Sequence, residues 1–97
     1  MLKNYIIYKS TAQGNIFFAG FSFSGTDEEV KRTVQETIIK SEKRDIEKSS
    51  FTPTLHGNKS HTGLGKSYRY WAVGVTFKDN THESYRVEEN ELPVYED

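Results

Sequence analysis

Residues 68–88 read YRYWAVGVTFKDNTHESYRVE, and their alternation decides the fold. Trp71, Val73, Val75 and Phe77 fall on one side of an extended chain, and Tyr68, Tyr70, Ala72, Gly74 and Thr76 on the other. That period of two is the signature of a half-buried strand. Asp79-Asn80 is a polar pair of the kind that closes a hairpin. The chain then returns over 81–88, with Tyr85 and Val87 inward and His82, Ser84 and Arg86 outward. Arg69 falls on the opposite side from Tyr68 and Tyr70.

Working outward, residues 3–10 (KNYIIYKS) and 15–24 (NIFFAGFSFS) are two further strands, joined by a turn at Ala12-Gln13-Gly14-Asn15. In the second of these, alternation assigns Phe17, Ala19, Phe21 and Phe23 to the core side and Phe18, Gly20, Ser22 and Ser24 to the other. A helix is expected from about 27 to 44. Thr26 with Glu29 fits a capping box, in which each side chain satisfies an orphan backbone N–H. Asp27, Glu28 and Glu29 suit the positive end of the helix dipole, and Lys40, Lys43 and Arg44 the negative end. Val30, Val34 and Ile38 make a narrow apolar stripe suited to one face of a sheet.

Residues 48–67 (KSSFTPTLHGNKSHTGLGKS) lack periodicity and are rich in Ser, Thr, Gly and Pro. They read as a long loop, anchored by Phe51 and Leu55. Loops of this length are uncommon and often functional. The resulting expectation is an α+β domain spanning 1–97: a four-stranded, mostly antiparallel ββαββ sheet with one helix on one face. Leu92-Pro93-Val94-Tyr95 would dock at an edge, where proline is tolerated.

Charge is segregated along the chain. Residues 48–78 hold Lys48, Lys59, Lys66, Arg69 and Lys78 and no acid. Residues 79–97 hold seven acids against Arg86, ending in an acidic C-terminal stretch, 88–97. The net charge is nonetheless only −1. Cysteine is absent, which excludes disulfides, thiolate catalysis and cysteine-based zinc sites. The longest apolar clusters fall far short of a bilayer span. The reading is a soluble, cytoplasmic protein with no membrane attachment.

No motif for chemistry stands out. Gly63-Leu64-Gly65-Lys66-Ser67 resembles the end of a phosphate-binding loop, but Ser60 stands where its first glycine belongs, and the segment leads into a strand rather than a helix. What survives is a generic anion cradle of backbone N–H groups, set against an ordinary glycine turn. His56, His61 and His82 lack the converging ligand set zinc requires and read as surface histidines. No serine lies in a nucleophile elbow, and the carboxylates sit where solvated charge is expected. The expectation is therefore no enzyme, no metal and no cofactor.

The binding candidates are Lys59, His61, Lys66, Tyr68, Arg69, Tyr70 and Arg86. Tyr and Arg are enriched at protein–protein hot spots. Aromatic rings on a sheet beside basic residues also stack bases and hold phosphates. Three partner classes follow. The first is a protein partner, engaged by a small inhibitor, immunity or anti-defence type of module, a role that the short Lys/Asn/Glu-rich chain shares with phage and mobile-element products. The second is a nucleic acid on the 48–78 segment. The third is a small anionic ligand such as a nucleotide at the glycine-rich loop. An open sheet face or edge also admits a homo-oligomer.

Overall fold

A computed structural model describes residues 2–56 and 68–91. The order is β1 (Lys3–Thr11), β2 (Gly14–Phe23), α1 (Asp27–Glu42), β3 (Ile46–His56), β4 (Tyr68–Phe77) and β5 (His82–Glu91). The five strands form one antiparallel sheet in the order β2-β1-β5-β4-β3. The α+β class is as expected, but the sheet has five strands rather than four.

The extra strand is β3, over residues expected to be loop. It pairs with β4 along its whole length, from Ile46 opposite Phe77 to His56 opposite Tyr68. An edge strand needs apolar side chains on one face at most, and Pro53 is tolerated there. Phe51 alone among its central residues packs on the core, while Ser49 accepts a hydrogen bond from Gln35 Nε2 at 2.8 Å.

The helix forms as its ends dictate. Thr26 Oγ1 accepts from Glu29 N, and Glu29 Oε1 accepts from Thr26 N, closing the capping box. It ends at Glu42, two residues before the expected stop, because Lys43 turns left-handed (φ 58°) and its N–H bonds Ile39 O. Val30, Val34 and Ile38 are fully buried against Tyr5, Ile7, Trp71, Val73, Val75, Phe77, Tyr85 and Val87. Among the described residues, all the buried apolar ones lie in this single layer between helix and sheet.

Alternation in β4 and β5 matches expectation, but β2 departs from it. The β1–β2 register slips between Ile7 and Tyr8, so that Ala19 faces Ile7 while Phe17 faces Tyr8. Phe18 is the extra residue of this bulge. A bulge sends two successive side chains towards the same side, and Phe18 joins Ala19 on the core side, edge-on to Tyr85 with ring centroids 5.2 Å apart. Phe17 is displaced to the other face and is 68% exposed. The expected assignment of these two phenylalanines is therefore reversed.

The β4–β5 connection is Lys78–Thr81, longer than a two-residue turn. Asn80 takes positive φ (69°), and Thr81 N donates to Asp79 Oδ1 at 3.0 Å. The start of the acidic C-terminal stretch is not a solvated tail: Glu88, Glu89 and Glu91 belong to β5, the central strand. Leu92-Pro93-Val94-Tyr95 lies outside the described residues. Among those described, no helix is long and apolar enough to cross a membrane.

Candidate functional site

Among the described residues the helix covers one face of the sheet and leaves the other open, and β4 and β5 position the central side chains of the open face. Tyr70 stands opposite Glu88, and Ala72 opposite Arg86, which in turn stands opposite Tyr8 of β1. The Arg86 guanidinium lies over the Tyr70 ring, with its carbon 3.9 Å from the centroid. Arg86 Nε is 3.3 Å from Glu88 Oε1 but buried and without a hydrogen-bond partner. The cation is thus held by a ring face and a carboxylate, an arrangement whose strength rises as water is excluded.

Beside this group the sheet is floored by small residues. Ser50, Thr52, Ala72, Gly74 and Ser84 line a shallow depression of about 370 Å³ against Arg86 and Tyr70. At Gly74 the floor has no room to spare: a methyl there would sit 3.2 Å from Ser50 Oγ. Farther along, Lys48 and His82 flank Thr76, whose Oγ1 is 3.0 Å from His82 Nδ1. The face carries hydroxyls, rings, the cations Arg86 and Lys48 and the carboxylate of Glu88. The hydroxyl–imidazole contact of Thr76 with His82 is solvent-exposed. Among the described residues, no group of three or more His, Asp or Glu could hold a metal ion.

Arg69, expected at the binding site, lies elsewhere. It points to the helix side, over the Trp71 ring at 4.5 Å. Its Nη1 and Nη2 donate to Asp27 Oδ2 and Oδ1 at 2.9 and 2.8 Å, and Nη2 also donates to Glu89 Oε2 at 2.7 Å. Glu89, only 8% exposed, further accepts from Lys3 Nζ at 3.2 Å and Tyr5 Oη at 3.3 Å. This is a structural clamp at the helix N-terminus. Hydrogen bonds from Arg69 hold the Asp27 carboxyl below its usual range, and those to Asp27 raise Arg69 in turn. Burial, with Glu89 nearby, pushes the Tyr5 hydroxyl up to about 12.

A second clamp closes the other end of the helix. Glu42 Oε2 accepts from Lys9 Nζ and Arg44 Nη2, both at 2.9 Å, and from Tyr85 Oη at 3.0 Å. Burial alone would raise Glu42, but these hydrogen bonds outweigh it and lower it. Burial and Glu42 together raise Tyr85.

Of the seven expected site residues, the structure brings Tyr70 and Arg86 together on the open face and places Arg69 on the opposite one. Lys59, His61 and Lys66 lie outside the described residues, as does the glycine-rich loop of 63–67. Tyr68 opens β4, but its side chain is outside the description. The hydroxyl floor and Glu88 were not anticipated: the floor takes Ser50 and Thr52 from β3, which the sequence hides, and Glu88 reads as part of a tail. No protein-family model, curated protein or solved structure matches the chain.

Proposed function

We propose that this chain is a small non-enzymatic binding protein that engages a protein partner through the helix-free face of its sheet, in the manner of an inhibitor or immunity module. The observation carrying this reading is the Arg86–Tyr70 pair beside its hydroxyl-lined depression. Tyr and Arg at the centre of a patch, surrounded by small polar groups that exclude water on docking, are the composition of an interface hot spot. The chain's net charge of only −1 favours a protein surface over a polyanion, since phosphate binding rests on a positive excess.

Affinity capture from extract of the native source tests it. One stoichiometric protein should be retained by the wild type and by the helix-surface variant Glu36→Ala, and lost from the Tyr70→Ala/Arg86→Ala double variant. Equal retention by all three, or no retained protein, sinks the reading.

Nucleic-acid binding is the second reading, favoured by Tyr70, Arg86, Lys48 and His82 sharing one face. Labelled oligonucleotides would bind at low salt and lose affinity steeply as salt rises. Anisotropy that stays flat at low salt removes it. A small anion held at residues 63–67 remains a third proposal, which calorimetry against nucleotides tests.

A further inference from the structure

The two edges of the sheet are built differently. The β3 edge carries Glu47, Lys48 and Pro53, the devices by which natural sheets block pairing with another chain. The β2 edge carries no charge and no proline, only the bulge at Phe18. From Ser10 to Thr26 there is neither a charged residue nor a proline, and β2 occupies ten residues of that stretch. Among the described residues it has a strand partner on one side only. Of the three exposed large apolar residues among those described, two lie on it: Ile16, 53% exposed, and Phe17, 68% exposed. They point to opposite faces of the sheet, Ile16 opposite Lys9 and Phe17 opposite Tyr8. Its one irregularity, the bulge at Phe18, leaves Ala19–Phe23 in unbroken register with β1.

We infer that β2 pairs antiparallel with β2 of a second copy, making one continuous ten-stranded sheet. A two-fold axis across two identical edge strands makes the interface self-complementary. A charge near the axis of such an edge meets its own image, which disfavours the pairing. β2 has no charge to repel. Ten extended residues run about 34 Å, and pairing satisfies their outward N–H and C=O groups while covering Ile16 on one face and Phe17 on the other. A second copy is favoured over a foreign peptide because neutrality on both sides of the contact is guaranteed by identity.

This inference stands apart from the open-face reading, and sedimentation across a concentration series separates them. The wild type and Tyr70→Ala/Arg86→Ala should both be dimers at high protein concentration. Ile16→Lys/Phe17→Lys should weaken association at least about 100-fold, as like charges meet across the axis, with its circular dichroism unchanged. Because the chain lacks cysteine, single cysteines at Asn15, Phe17 and Ala19 give a second readout. At least one should form a symmetric disulfide under oxidation, while Thr52→Cys on β3 should not. A wild type that stays monomeric throughout overturns the inference. So does a dimer that survives the double lysine substitution, or one cross-linked through Thr52→Cys alone.

Discussion

A guanidinium, an aromatic ring and a carboxylate meet twice, back to back, on β4 and β5. On the covered face, Arg69 lies over Trp71 and pairs with Glu89. On the open face, Arg86 lies over Tyr70 and pairs with Glu88. The covered trio is completed by Asp27 from the helix, Lys3 and Tyr5, so every formal charge has a hydrogen-bonded partner at 3.3 Å or closer. Both arginines keep a buried Nε with no partner, but in the open trio the carboxylate contact itself lacks hydrogen-bond geometry. What separates a structural clamp from a binding candidate is not residue type but whether the fold itself completes the coordination.

Paired substitutions across the sheet should expose that difference. Trp71→Ala removes a ring at the centre of the core and should cost about 3–5 kcal/mol in urea unfolding, enough to leave a domain of this size barely folded. Its neighbour Tyr70→Ala should cost under about 1 kcal/mol. Similar losses at the two positions would erase the distinction.

The next contrast is between the arginines. Arg69→Ala takes from the buried Glu89 its shortest hydrogen bond and from Asp27 both of its bonds to the sheet, and should destabilise by about 2–3 kcal/mol. Arg86→Ala should cost about 1 kcal/mol or less. An Arg86 variant as unstable as the Arg69 variant would make both trios structural.

The covered face also predicts a pH signature. A free tyrosine loses its proton near 10.0, whereas Tyr5 in the fold holds it to about 12. As pH rises, the unfolded state ionises first, so this contribution is complete below pH 10 and is lost between 10 and 12. Tyr5→Phe should flatten that limb in a pH series of thermal melts. The acid side runs oppositely. Asp27 and Glu42 titrate below their ordinary values of 3.8 and 4.5 in the fold. Their stabilisation is present above those values and is lost as pH falls beneath them. Acid melts that do not change below pH 4.5 would show that neither clamp depends on ionised carboxylates.

The smallest effect concerns the cover itself. Thr26→Ala removes the N-cap and should cost about 1 kcal/mol, without changing any property of the open face. If it altered capture of a partner, the open face and the helix would not be independent.

Much of this arrangement is legible in the chain. Trp71, Val73, Val75 and Phe77 announce β4 because burial on one face forces a period of two. Thr26 and Glu29 announce the helix start because orphan N–H groups require partners. β3 stays hidden because an edge strand of Ser, Thr and Pro buries too little to impose a pattern. The reversal of Phe17 and Phe18 stays hidden because a bulge depends on pairing with β1, not on β2 alone. Arg69 is the instructive case. Alternation already sets it against the tyrosines, but its partners Asp27 and Glu89 lie 42 and 20 residues away, beyond any local rule. Glu89 reads as part of an acidic tail for the same reason: a carboxylate is tolerated in a central strand only when the fold brings it cations.

The strand order carries a consequence for assembly of the molecule. β5 comes after the other four strands in the chain yet sits between β1 and β4. Until it is in place, the β1–β2 hairpin and the β3–β4 pair share no backbone hydrogen bonds, and the helix has two half-platforms rather than one surface to settle on. During synthesis, the first ninety or so residues must therefore wait, with Trp71, Val73 and Tyr5 in reach of water. Final closure becomes a long-range event joining Lys3 to Glu91, the kind of contact that slows folding. A ribosome-stalled chain ending before His82 should be readily cut by protease, and one extending past Glu91 and clear of the exit tunnel should resist it.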